Sequence, residues 1–73
     1  MNERTSKVEI HEFTKSVGSH YYTRITETES KKERISNESE GLRKLNSFLG
    51  DYQAHIINVI SDGFKTRYFI AIH

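Results

Sequence analysis

The chain has 73 residues and contains no cysteine, no proline and no tryptophan. Without cysteine there is no disulfide, no thiolate metal site and no thiol nucleophile, so nothing covalent supplements the core. No apolar stretch approaches the roughly 20 residues that span a bilayer, and the polar Met1–Lys7 segment carries neither a signal peptide nor a lipidation pattern. A membrane is therefore not expected as a partner, and the expected location is cytoplasmic. Charge of one sign is lacking too: eleven basic and ten acidic residues leave a net +1, too little to steer the chain toward DNA or an anionic surface. No repeat, low-complexity tract or linker divides the chain. Residues 1–73 are expected to form one domain with a frayed segment at 1–6. Only 34 % of the residues are apolar. A domain this small buries roughly 60–65 % of its unfolded surface, so association with a copy of itself or a partner would help it.

What is present is concentrated in residues 54–73, the densest apolar and β-branched part of the chain. Two runs rich in Ile, Val, Tyr and Phe flank Asp62-Gly63, the kind of dipeptide that a type I′ turn favours, and together they read as a β-hairpin. With Asp62 and Gly63 as the loop, Ser61 faces Phe64, Val59 faces Thr66 and Ile57 faces Tyr68. Ile57, Val59, Thr66, Tyr68, Ile70 and Ile72 then share a core face. The opposite face receives Ile56, Asn58, Ile60, Lys65, Arg67, Phe69 and Ala71. Its large apolar members break the alternation expected of a solvated face.

Toward the N-terminus, Lys7–Glu12 alternates as a half-buried strand with Val8 and Ile10 on the core side, and Phe13 falls on the opposite parity. Ser16–Ser19 supplies a turn, and His20–Thr28 a second strand with Tyr21, Thr23 and Ile25 inward and Tyr22 and Arg24 outward. The charged segment Glu27–Arg34 reads as an exposed loop or the tip of a second hairpin, in which Ile35 could anchor a short strand at 32–36. Asn37 and Glu40 resemble a capping box opening a helix over 38–49. Leu42, Leu45, Phe48 and Leu49 form its apolar stripe, Arg43, Lys44 and Ser47 its wet side, and Gly50 its left-handed C-cap.

The elements give a small single α+β domain: β-hairpin, helix, β-hairpin, with an antiparallel or mixed sheet of four or five strands and the helix packed on one face. The first and last strands are expected side by side in the centre, joined by a right-handed crossover. This resembles the ubiquitin-like and immunoglobulin-binding bacterial β-grasp domains in element order alone, and implies no activity.

Catalytic chemistry finds no support: there is no Gly-x-Ser-x-Gly elbow, phosphate loop or dinucleotide turn, and the carboxylates Glu9, Glu12 and Glu27 fall in stretches expected to be solvated. His11, His20, His55 and His73 lack the local spacings of metal ligands, so neither a metal nor another cofactor is expected. The chain is expected to be a non-enzymatic binding protein, an adaptor or inhibitor that contacts another protein, or itself as a homodimer, through the helix-free sheet face. The candidate contact residues are Tyr22, Arg24, Ile56, Ile60, Lys65, Arg67 and Phe69. The alternative is a single-stranded nucleic-acid-binding regulator using the same mixture of rings and cations. The bias toward Lys, Ile, Ser, Asn and Glu suits a low-GC bacterium or its phage.

Overall fold

A computed structural model describes residues 7–72; the segment 1–6 and His73 lie outside the described residues. Five strands and one helix follow in the order β1 (Lys7–Ser16), β2 (Ser19–Ile25), β3 (Ser30–Ile35), α1 (Glu38–Asp51), β4 (Ala54–Asp62) and β5 (Lys65–Ile72). The sheet order is β3-β2-β1-β5-β4, antiparallel at every step. The first and last strands are neighbours as expected, but they run in opposite directions, so no crossover joins them and β1 alone is central. The helix leaves one sheet edge and delivers the chain to the other, touching β1, β2, β3 and β4 on the way. From there β5 turns back to pair with β1.

Local chemistry accounts for the elements. Ser16 pairs with Ser19 around Val17-Gly18, both at positive φ, which is the two-residue I′ geometry that matches strand twist. Thr26 closes the second turn by taking the N–H of Glu29 on its hydroxyl while its own N–H reaches the Glu29 carbonyl. Ile35, the last residue of β3, is buried. At the helix start Asn37 Oδ1 accepts the Glu40 N–H at 2.9 Å, and the Glu40 carboxylate returns to the Ser36 N–H at 2.7 Å. The helix runs two residues past Leu49. Gly50 is inside it, and the left-handed residue is Gln53, at φ 51°, after the Tyr52 cap.

The core lies between α1 and the sheet and consists of Phe13, Tyr22, Ile35, Leu45 and Ile70, with Phe48, Leu49, Ala54, Tyr68 and Ile72 against it. Leu42, placed by spacing on the inner stripe, is 40 % exposed. The close approach of helix and sheet occurs at Gly41, where a Cβ would come within 2.9 Å of Ile35 Cδ1 and 3.3 Å of the Phe13 ring.

The two faces of β1 and β2 are the reverse of the expected ones. Glu9, His11 and Phe13 turn toward the helix, opposite Ile70, Tyr68 and Thr66 of β5, whereas Val8 and Ile10 lie on the helix-free side. Because His11 pairs with Arg24 and Phe13 with Tyr22, these β2 residues face the helix too, and Tyr21, Thr23 and Ile25 do not. The physical reason is that a carboxylate and an imidazole are buried here in place of aliphatic residues. The apolar members of the alternation therefore mark the open side.

Candidate functional site

Tyr22 and Arg24, expected on the open sheet face, instead belong to a polar cluster under the helix. Arg24 grips Glu9 with two parallel bonds, Nε to Oε1 at 2.8 Å and Nη2 to Oε2 at 2.9 Å. The same Oε1 lies 3.1 Å from His11 Nε2, and His11 Nδ1 lies 2.5 Å from the Tyr22 hydroxyl. An ionised Glu9 can only accept, so His11 Nε2 carries the proton and Nδ1 accepts the Tyr22 O–H. Phe48 and Tyr52 close the cluster from the helix: the Arg24 guanidinium carbon sits 4.8 Å from the Phe48 ring centre, and the His11 ring 4.5 Å from it.

The ionisation of the cluster follows from this packing. Hydrogen bonds from Arg24 hold the Glu9 carboxyl below its ordinary range against the opposing effect of burial, and the same contact raises Arg24. Burial pulls His11 down, outweighing the attraction of Glu9, so it stays neutral. Burial also pushes the Tyr22 phenol up to about 12. Among the described residues no buried side-chain nitrogen or oxygen lacks a partner. The chemical capacity of the arrangement is to fix Arg24 at the wall of an open cleft of about 700 Å³, bounded also by Lys31, Glu33, Lys44, Phe48 and Tyr52. No three His, Asp or Glu side chains among the described residues come together as metal ligands would.

The other expected contact residues lie around the second hairpin. Asp62 pairs with Lys65, making Gly63 and Phe64 the loop, with positive φ at Gly63 alone, the II′ pattern rather than I′. The register moves by two residues, Val59 facing Tyr68 and Ser61 facing Thr66, which preserves the faces near the turn. Ile60, Arg67 and Phe69 therefore lie on the helix-free side as expected, with Lys65 beyond them. Glu12 from β1 reaches both cations there, at 2.9 Å to Arg67 Nε and 3.9 Å to Lys65 Nζ. Ile56 is on the other side. A bulge at Ile57 sets Ile56 opposite Ile70 and Asn58 opposite Phe69, so the parity changes at that point.

The residues missed by sequence reasoning are Ile57, Val59 and Phe64, 52 %, 47 % and 77 % exposed, beside Ile60 at 47 %. Apolar alternation alone places Ile57 and Val59 in the core. The helix, however, meets β4 only near its start, where Ala54 packs against the core, and leaves the strand beyond it bare. Phe64 next to Asp62-Gly63 was the available signal, since a large ring in a tight loop has nothing to bury itself against. Among the described residues nothing pairs with the outer edge of β4. Compared with protein-family models, curated proteins and solved structures, the chain matches none.

Proposed function

We propose that the chain is a non-enzymatic protein-binding module, an adaptor or inhibitor, whose contact surface is the exposed β4–β5 hairpin, extending over Ile60 and Phe69 onto the helix-free face. The observation that carries this reading is the group Ile57, Val59, Ile60 and Phe64, all about half exposed or more, gathered on the edge strand β4 and the loop that follows it. Contiguous apolar side chains of this kind on a small domain are contact surface, and the cations Lys65 and Arg67 beside them supply a polar rim.

The nucleic-acid alternative draws less support. Tyr22 and Arg24 are withdrawn from the open face, and Glu12 pairs with Arg67 and reaches Lys65, leaving the three groups a net charge of only +1. Capture of interacting proteins by the immobilised full chain tests the proposal. Partners retained by the wild type and by Arg43→Ala, and lost from Ile60→Lys and Phe64→Asp, are the expected result. A salt-sensitive complex with a single-stranded oligonucleotide that weakens in Arg67→Ala, with no protein captured, would overturn it.

A further inference from the structure

The sheet has two edges of opposite character. β3, Ser-Lys-Lys-Glu-Arg-Ile, places Lys31, Lys32, Glu33 and Arg34 along its rim, the charged edge that discourages pairing with another strand. β4, Ala-His-Ile-Ile-Asn-Val-Ile-Ser-Asp, has no Lys, Arg, Asp or Glu before Asp62, and the bulge at Ile57 leaves 58–62 as regular strand. In a two-residue hairpin the pair next to the loop, Asp62 with Lys65, exchanges hydrogen bonds, and bonded pairs alternate with unbonded ones along the ladder. Ser61 and Val59 thus turn their backbone groups away from β5. In the single chain the Val59 N–H is taken by the exposed side chain of its neighbour, Asn58 Oδ1 at 2.9 Å, a local bond that a second strand's carbonyl would replace.

We infer that β4 pairs antiparallel with β4 of a second copy of this chain, about a two-fold axis at Val59, making one ten-stranded sheet with both helices on the same side. This rests on the protein-binding reading above and names the partner. Three observations select a second copy. In this register Val59 faces Val59 and Asn58 faces Ile60, so no like charges meet along 58–60, whereas a basic or acidic partner strand would find no charged complement along 56–61. Val59 lies on the helix side in both copies, as directly opposed residues of a continuous sheet must. Ile57, Val59 and Ile60, each about half exposed, are apolar area along this edge that a second strand would shield.

The test is solution mass by light scattering over a concentration series, on the wild type and on Val59→Lys, with circular dichroism to establish that both are folded. The expected wild type is a dimer of twice 8.6 kDa, and Val59→Lys raises its dissociation constant by at least about tenfold. A second variant works without weakening the strand. The chain has no cysteine, so Val59→Cys introduces a single thiol whose copies lie about 5.5 Å apart between α-carbons in the proposed pair, within disulfide reach. Oxidation yields a covalent dimer from Val59→Cys and none from Arg34→Cys on the opposite edge. A wild type that stays monomeric throughout overturns the second-copy inference alone and leaves the hairpin to a different protein, which the capture experiment decides. A dimer unaffected by Val59→Lys and cross-linked through Phe69→Cys rather than Val59→Cys overturns it too, assigning the interface to the helix-free face.

Discussion

At the scale of single residues, the strained position is Val17. A β-branched residue at φ 45° is a backbone outlier, and here the side chain is fully exposed and gains no packing in return. Val17→Asn, which creates the Asn-Gly pair that a I′ turn favours, is expected to stabilise the fold by about 1 kcal/mol, read as a higher denaturation midpoint. Glu9 is the opposite case. Glu9→Gln leaves Arg24 and His11 without the carboxylate that holds them and should cost at least about 2 kcal/mol.

The same cluster sets the pH range of the fold. His11 and Glu9 both titrate lower in the folded chain than their ordinary 6.5 and 4.5, so their stabilisation is complete above those values and is lost on acidification, first through His11 and then through Glu9. Tyr22 is raised from 10.0 to about 12, so its share is complete below 10.0 and is lost as pH rises toward about 12. Urea midpoints measured against pH should show a plateau between roughly 6.5 and 10, and Tyr22→Phe should flatten its alkaline shoulder. None of this cluster was legible as a cluster. Arg24 stands fifteen residues from Glu9, and Glu and Arg are more commonly exposed than buried. Only the register that places His11 between Arg24 and Tyr68 reveals that they satisfy one another.

At the scale of elements, two glycines in one helix have opposite consequences. Gly50 lies inside α1 with nothing near its missing Cβ, so Gly50→Ala should stabilise by roughly 0.5–1 kcal/mol. Gly41 is where the helix presses on Phe13 and Ile35, and Gly41→Val, too large for that contact, should destabilise by about 1–3 kcal/mol. Thermal melts of the two variants check both signs. The helix itself was readable from Asn37, Glu40 and the leucine spacing, since capping and periodicity are local properties. Its end was not, because Gly50 and Gln53 compete for the left-handed position and the packing of Tyr52 and Phe48, 4.4 Å between ring centres, favours continuing the helix. The β4 bulge was equally hidden: one extra residue at Ile57 sits before Asn58 with no glycine or proline to mark it.

At the scale of the whole molecule, one helix over a five-stranded sheet leaves a face and an edge uncovered, and their chemistry separates them. The open face carries ion pairs from Glu12 to Arg67 and Lys65, whereas the β4 edge carries the exposed apolar side chains Ile57, Val59 and Ile60. If β4 is covered by a second copy, folding is linked to association. The wild-type melting temperature should then rise by a few degrees per tenfold increase in chain concentration, and Val59→Lys should remove that dependence. Calorimetry at several concentrations reads the effect directly.

The α+β class, the order of the elements, the helix start, the Val17-Gly18 turn and the absence of thiol chemistry were determined by the sequence alone, because each depends on neighbours within a few residues. Tertiary structure alone decided which way the strands face and which edge is left bare. The direction of β1 depends on whether a buried glutamate finds its arginine fifteen residues away, and the edge depends on where a single helix happens to deliver the chain. Neither is a property of any local stretch. Both arise when distant residues are brought within hydrogen-bonding and van der Waals range and the better-satisfied arrangement prevails.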